Sequence, residues 1–342
     1  MNTNKTQHYL KSIEGKPVTN EIAQQLMHLL SEQKLKLLAN LSGPESFVPS
    51  GKMPDNSDDV IKVIYLDTET TGLEVTDEIV QLSMAKALVN KKDGSVIQVE
   101  GYYNSYQEPA ASLSDETWAN MKRLSGIVPE MLAGQTINQF EVSAFLHDVD
   151  LIVAHKANFD RPMMENNLAE ITDLIKSKAW ACSLSEIPWA DYGFSNSKLD
   201  YLLFRVGYAY EAHRADIDTL ALMQLMDSEI EVDGKVIKPM KVLYDYSVMA
   251  TVKVWATSAP FDAKDLLKAR GYTWHDGSNA GDHKAWAITL PEDKLNLELD
   301  YLNREIYRRV VSLPVDKMTA LQRHSDPLSP RKAKPAARSF IA

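Results

Sequence analysis

A short apolar run that ends directly in two acidic residues constrains the fold more than any other feature of the sequence. The run is KVIYL at residues 62–66, which is too short for a helix and typical of a buried strand. Asp67 and Glu69 follow it at i, i+2 spacing, so both carboxylates lie on one side if the strand continues. Two carboxylates at the end of a buried strand repel each other unless a cation lies between them. Oxygen ligands suit Mg²⁺ or Mn²⁺, although two acids in a solvated turn would give the same pattern.

A second acid follows another apolar run. Residues 151–154, LIVA, predict a buried strand, and Asp160 comes shortly afterwards in the segment HKANFD. A helix is expected from Pro162 to Leu168. Ligands of α/β sheets bind in crevices outside the strand ends, so Asp160 is a candidate ligand. Taken alone, it is better explained as the N-cap of the helix.

The third polar element is HRADID at residues 213–218. His213 lies in a loop before a predicted helix over residues 215–226. A histidine with a pKa near 6.5 is suited to activate a water molecule. Asp216 and Asp218 both remain candidates for the acid of this element, and a surface histidine with capping aspartates is the alternative.

The length of the chain and the positions of its Pro- and Gly-rich stretches predict several structural units. The chain has 342 residues, which suggests two domains. We expect a helical segment and linker over residues 1–60, an α/β domain over 61–230, a small α+β module over 250–310 and a disordered basic tail over 325–342. Within the first domain, a mixed sheet covered by helices is the natural packing. The segment 230–248 is expected to be less regular and to mark a boundary.

Charge and cysteine usage narrow the class of protein. With 37 Lys and Arg against 47 Asp and Glu, the net charge is −10, which argues against non-specific coating of nucleic acid. It leaves room for an enzyme that holds nucleic acid through bound metals. No apolar run approaches the roughly 18 residues of a membrane span. The single cysteine, Cys182, and the absence of a visible signal sequence predict a cytoplasmic protein without a membrane partner.

The three polar elements together resemble the motifs of the DnaQ-like, or DEDDh, 3′–5′ exonucleases of the RNase T superfamily. DTETTGL at residues 67–73 matches the first motif without a gap, and Gly126-Ile127 resembles the segment between the first two motifs. The second motif is usually written HNAxFD, whereas this chain has HKANFD, so Lys156 replaces the asparagine. The third motif is usually His followed by Asp at the fifth position, which selects Asp218 over Asp216. The resemblance spans about residues 63–226.

The resemblance implies a fold and a chemistry. The fold would be α/β, a ribonuclease H-like mixed sheet flanked by helices, followed by the small α+β C-terminal module. By carry-over, two divalent metal ions, Mg²⁺ or Mn²⁺, would be held by Asp67, Glu69, Asp160 and Asp218, with Asp67 bridging. His213 would take the proton from the attacking water.

The resemblance also implies a substrate. Thr68 and Thr70 would present backbone or hydroxyl groups to the 3′ end, Leu73 would wedge against the terminal base, and Phe159 would pack with a stacking role. Turn hydrogen bonds and core packing are the alternatives for these side chains. The expected substrate is a single-stranded or frayed 3′ end, DNA rather than RNA, in proofreading, repair or turnover with a polymerase or repair partner. An exoribonuclease of the same fold, or a non-catalytic nucleic-acid or partner-binding module, are the alternatives.

The C-terminal module carries half of the chain's 6 tryptophans, Trp255, Trp274 and Trp286. Positively charged residues are interleaved with them, namely Lys253, Arg270, His275 and Lys284. This pattern is compatible with a surface that stacks on bases and binds phosphates. At least one or two of the tryptophans are expected to build the module's own core.

Overall fold

The computed structural model describes residue 28 and residues 38–74, 76–277 and 282–325. Most of the predicted N-terminal helix and residues 326–342 of the predicted basic tail lie outside the described residues. The strands are β1 (Ala39–Leu41), β2 (Val60–Thr70), β3 (Ile79–Asn90), β4 (Val96–Tyr106), β5 (Leu151–Ala154), β6 (Ala179–Cys182), β7 (Tyr208–Tyr210), β8 (Ile230–Val232), β9 (Lys235–Ile237), β10 (Thr251–Ala256), β11 (Thr273–His275), β12 (Ala285–Pro291) and β13 (Val315–Met318). The α-helices are α1 (Asp115–Leu124), α2 (Pro129–Leu132), α3 (Gln139–Leu146), α4 (Ala157–Asn167), α5 (Thr172–Ser177), α6 (Leu199–Val206), α7 (Ala215–Asp227), α8 (Pro239–Ser247), α9 (Lys264–Ala269) and α10 (Leu295–Tyr301).

A five-stranded mixed sheet in the order β4-β3-β2-β5-β6 forms the centre of the first domain. β2 pairs antiparallel with β3 and parallel with β5, and β5 pairs parallel with β6. The predicted buried run KVIYL is therefore the middle strand, covered on both faces, which explains why it is continuously apolar. The mixed sheet flanked by helices that the resemblance implies is therefore present.

The two faces of β2 belong to two separate hydrophobic cores. Val63 and Tyr65 pack in a cluster with α6, α7 and α8, whereas Ile64 and Leu66 pack in a cluster with α3, α4 and α5. Because side chains alternate along a strand, odd-numbered residues at the end of β2 face α7 and even-numbered residues face α4. This alternation decides which acids meet in the site.

The end of the predicted N-terminal helix is a strand instead. β1 pairs parallel with β7, with Ala39 opposite Tyr208 and Leu41 opposite Tyr210. Leu41 and Phe47 are buried in the α7-side core, so the predicted linker is partly packed. Tertiary pairing overrides the local helical periodicity here.

The segment predicted to be irregular after residue 230 is also structured. β8 and β9 form a hairpin, and α8 buries Met240 and Leu243 in the α7-side core. The predicted domain end at residue 230 therefore falls inside a packing unit that continues to Ser247. Pro239 at the start of α8 is the signal that the sequence contained, since proline is favoured at the first helical position.

A four-stranded antiparallel sheet in the order β11-β12-β10-β13 forms the C-terminal module. Val252 and Val254 pack with Leu267, Tyr272 and Leu302 beneath α9, α10 and the π-helical turn Leu302–Tyr307. The predicted module ended at residue 310 and contained three strands. Its sheet has a fourth strand, β13, which lies beyond that residue and pairs with β10.

After β13 the chain returns to the first domain. The backbone amide of Trp180 in β6 donates to the carbonyl of Ala320 (2.9 Å). The buried guanidinium of Arg161 donates to the carbonyls of Leu321 and Arg323 (2.8 Å each), and Arg323 pairs with Glu186 (3.3 Å). This return segment fastens the module's exit to the edge of the central sheet. None of the helices described in residues 38–325 is long and apolar enough to cross a bilayer.

Candidate active site

Three carboxylates from two elements meet above the end of β2. One oxygen each from Asp67, Glu69 and Asp218 lies within 4.8 Å of the others. Asp67 and Glu69 are odd-numbered residues of β2 and face α7, whose first turn carries Asp218. The i, i+2 spacing of the two strand acids thus places both of them against the helix acid.

Asp218 is held in place by three hydrogen bonds. Its Oδ2 accepts from the backbone amides of His213 (2.7 Å) and Arg214 (2.9 Å), and its Oδ1 accepts from the Tyr210 hydroxyl (3.0 Å). These bonds fix the carboxylate relative to the loop that carries His213. The loop is tight, since His213 has a φ of 71°, in the left-handed region that residues other than glycine seldom adopt.

Asp216, the other candidate in this element, faces elsewhere. Its carboxylate accepts from the Arg214 guanidinium (2.8 Å) and from the Gln81 amide (3.4 Å). Gln81 also accepts from the backbone amide of Ala215 (3.4 Å) and so anchors the start of α7 on β3. The geometry therefore favours Asp218 over Asp216 as the acid of the third element.

Asp160 approaches from the opposite face of the sheet. It lies in the first turn of α4 and is 3% exposed, and its Oδ1 accepts from the hydroxyl of Thr68 (2.8 Å). Helix α4 begins at Ala157, not at the predicted Pro162, and Lys156 is its N-cap. The N-cap explanation of Asp160 is therefore wrong. Asp160 lies outside the tight group of three, but its charge still acts on Asp67.

Burial and mutual repulsion make the four acids hard to ionise. Burial, then repulsion from Asp218, Asp160 and Glu69, raises the pKa of Asp67 well above its usual range. Burial, then repulsion from Asp218 and Asp160, raises the pKa of Glu69 to about 8. Burial raises the pKa of Asp160 to about 7, against the hydrogen bond from Thr68, and also raises the pKa of Asp218.

Such a group is stable at neutral pH only if protons or cations compensate the charge. The donors are hard carboxylate oxygens from a rigid strand and two helices, which is the ligand type that Mg²⁺ and Mn²⁺ prefer. The residues present therefore fit the divalent cations that the resemblance implies.

His213 is exposed. Its backbone amide donates to Asp218, which ties the loop that carries the ring to this acid. An exposed ring on a loop fixed to a buried acid is accessible to a water molecule and to substrate. The four acids and His213 are thus brought to one edge of the sheet.

The predicted substrate contacts are distributed differently. Thr68 is 7% exposed, and its hydroxyl donates a hydrogen bond to Asp160. The Thr70 hydroxyl donates to the carbonyl of Gly72. The Thr70 bond is the turn hydrogen bond expected as the alternative, whereas the Thr68 bond joins β2 to α4. Leu73 is 50% exposed, so it does not pack in the core. Phe159 is half-buried against the α4-side core, with the Lys156 ammonium 5.1 Å from its ring centre.

Sequence reasoning missed several residues that shape the site. Tyr210 and Gln81 fix Asp218 and α7, respectively, and His155 bonds Ser183 (2.8 Å) and the carbonyl of Ser197 (2.9 Å) behind the site. The only signal for His155 was its place in HKANFD. Tyr210 had none, because its role depends on the pairing of β7 with β1.

Comparison with known proteins bears on the same segment. The family model of the RNase T exonucleases matches residues 64–226. No curated protein matches the chain. Among solved structures, the chain is similar to a 3′-exonuclease in a study of 3′-end-specific recognition of a histone mRNA stem-loop (15% identity, 53% of this chain, 90% of that chain, TM-score 0.33). It is similar also to a full-length 3′-exonuclease (16% identity, 53% and 90% covered, TM-score 0.33). The matched segment begins in β2 and ends in α7, and so contains the four acids and His213. Residues 64–226 are therefore an exonuclease domain of the RNase T family.

Proposed function

We propose that this exonuclease acts on single-stranded or frayed 3′ ends of DNA, in preference to RNA, and releases nucleoside 5′-monophosphates. The observation that supports the proposal best is the meeting of Asp67, Glu69 and Asp218 within 4.8 Å of one another, with Asp160 and His213 at the same edge. The proposed setting is proofreading, repair or turnover in the cytoplasm, with a polymerase or repair protein as partner.

Asp67, Glu69, Asp160 and Asp218 would hold two divalent ions. When bound, such a pair supplies an activated water, in-line orientation and stabilisation of charge on the leaving oxygen. The chain's own contribution is a crowded set of acids with raised pKa values, in which a bound cation would replace the protons that offset their mutual repulsion. Asp218 keeps its geometry through the hydrogen bonds from Tyr210 and the His213 loop.

His213 accepts the proton of the attacking water at its ring. The water oxygen joins phosphorus, the bond from phosphorus to the 3′ oxygen of the preceding nucleotide breaks, and that oxygen gains a proton. The products are a nucleoside 5′-monophosphate and a strand shorter by one residue. An exposed histidine can exchange its proton with solvent after each cycle.

Leu73 is the proposed contact for the terminal base. Half of its surface is exposed at the end of the first motif, so it can pack against a base without leaving a core. Thr70 lies between Leu73 and the acids and is proposed to offer its backbone to the 3′ nucleotide. The hydroxyl of Thr68 supports Asp160, and the backbone of Thr68 is the part proposed to meet substrate. Phe159, with Lys156 over its ring, is proposed to stack at the rim.

The test follows nucleotide release from matched 5′-labelled DNA and RNA single strands with Mg²⁺ and with EDTA. We expect a ladder that shortens from the 3′ end, requires metal and is faster on DNA. Asp218→Asn should abolish it, whereas Asp216→Asn, two residues away on the same helix, should retain most of the rate. Faster RNA cleavage would reverse the substrate preference, and no release from either strand would leave a non-catalytic binding module.

A further inference from the structure

The C-terminal module carries exposed aromatic and cationic side chains in direct contact with one another. The Lys264 ammonium lies 4.7 Å from the ring centre of Phe261, and the Lys268 ammonium lies 5.9 Å from that of Trp286. Trp286 packs edge-to-face on Trp274, with ring centres 5.6 Å apart. We call these five residues the aromatic–lysine stripe.

The stripe is built by local geometry. Phe261, Lys264 and Lys268 are spaced three and four residues apart, so they share one face of the α9 region. Trp274 and Trp286 are directly opposite each other in the antiparallel pair β11–β12, and β11 is the outer strand of its sheet. The stripe therefore runs from the helix face to the open edge of the sheet.

Trp286 is half-buried and packs against the module's core, whereas the other two aromatic side chains of the stripe are largely exposed. Phe261 is 79% exposed and Trp274 is 51% exposed, which is unusual for such large apolar side chains. Among the described residues, neither Lys264 nor Lys268 has a carboxylate oxygen within 4.0 Å. These two charges are thus available to a ligand.

The structure also removes other candidates that the sequence suggested for this role. Trp255 is 1% exposed and donates to Asp316 (2.6 Å). Lys253 is 6% exposed, and Arg270 is committed to Glu298 through three hydrogen bonds. These residues build the module, so a binding role is concentrated on the stripe.

We infer that the aromatic–lysine stripe binds single-stranded nucleic acid by base stacking, and so holds the strand whose 3′ end the exonuclease domain digests. Alternation of aromatic rings with cations suits bases alternating with phosphates. Asp262 and Asp265 lie on the same short helical segment, so stacking rather than long-range attraction supplies most of the affinity. The inference rests on the proposed nucleic-acid substrate.

The test measures binding separately from cleavage. Fluorescein-labelled single-stranded dT20 is titrated with the full chain in EDTA, and anisotropy is recorded. Because stacking is worth about 1–3 kcal/mol per base, Trp274→Ala should weaken binding about 10-fold, and Trp274→Phe should restore most of the loss. The double variant Lys264→Ala/Lys268→Ala should make the slope of log K against log salt shallower by about 1.4, since each phosphate contact contributes about 0.7.

Matched controls lie on the neighbouring helical segment. Leu297 is 65% exposed and the Lys294 side chain is 61% exposed, and alanine at either position should leave binding within about twofold. Wild-type affinity in Trp274→Ala, an equal loss in the controls, or no binding of dT20 by the wild type would overturn the inference. Release of nucleotides from a four-residue strand should stay normal in Trp274→Ala, so failure of the stripe and failure of the proposed catalysis are distinguishable.

Discussion

The charge crowding at the end of β2 predicts that Glu69 destabilises the metal-free protein at alkaline pH. The pKa of Glu69 is raised from 4.5 to about 8, so the folded state holds a proton that the unfolded state has already released. In that window the free energy of unfolding falls by about 1.36 kcal/mol for each pH unit. This contribution to stability is complete below pH 4.5, falls as the pH rises, and has fallen by ~5 kcal/mol well above pH 8.

The perturbation that isolates this effect is Glu69→Gln. Its amide cannot ionise, so the variant should be more stable than the wild type in EDTA, and the advantage should grow by ~2 kcal/mol between pH 6 and pH 8. Comparing the two proteins at each pH cancels the titration of groups that both share. Adding Mg²⁺ at pH 8 should stabilise the wild type more than the variant, because a bound cation compensates the negative charge that Glu69 gains when it loses its proton.

The assay is urea unfolding followed by circular dichroism at several pH values, with EDTA and with Mg²⁺. Asp216→Asn is the control, since it removes a neighbouring carboxylate that pairs with Arg214 (2.8 Å) and lies outside the group of three acids. A constant difference between Glu69→Gln and wild type from pH 6 to pH 8 would refute the reasoning, because it would mean that Glu69 is already ionised at pH 6.

Three further outcomes follow from the site. Asp67→Ala should lower the rate of nucleotide release by several orders of magnitude while the melting temperature in EDTA stays equal or rises, since the variant loses a ligand and relieves repulsion; a near-normal rate would contradict the metal assignment. His213→Ala should retain Mg²⁺-induced stabilisation and lose about 10²–10⁴-fold in turnover, as expected of a general base; loss of the thermal shift with Mg²⁺ would show that the ring is a ligand. His155 has a pKa lowered to about 4 by burial, so the protein should lose up to ~3 kcal/mol of unfolding free energy as the pH falls from 6.5 to 4; His155→Gln, measured by the same urea unfolding, should flatten that loss.

The strand acids were predictable because they depend on one short-range rule. A largely apolar run of five residues predicted a buried strand, and the alternation of side chains along a strand placed Asp67 and Glu69 on one side. The same rule implies that Thr68 faces the other side of the sheet, but the helix that packs on that side depends on the order of the strands. Its bond to Asp160 (2.8 Å) joins residues 92 positions apart, and local patterning contains no information on that pairing.

The helix that carries Asp160 shows why local rules failed at one boundary. The helical conformation is unfavourable for the residue before a proline, so the sequence predicted that the helix begins at Pro162. In the structure Pro162 lies inside α4, where its ring leaves the carbonyl of Asn158 without an intrahelical donor. Asn158 is exposed, so water can satisfy that carbonyl, and the earlier start brings Asp160 into the first turn.

The support for Asp218 comes partly from outside the segment that matches the exonuclease family. Tyr210, whose hydroxyl bonds Asp218, lies on β7, and β7 is completed as a two-stranded sheet by β1, well before residue 64, where the match begins. Behind the opposite core, the return segment after β13 fastens onto Arg161, the residue next to Asp160. Each of the two helices that deliver an acid to the site is thus braced by chain that lies beyond the family segment. The segment that matches the family contains the acids. The flanking segments contact β7 and α4, the elements that carry Tyr210 and Asp160.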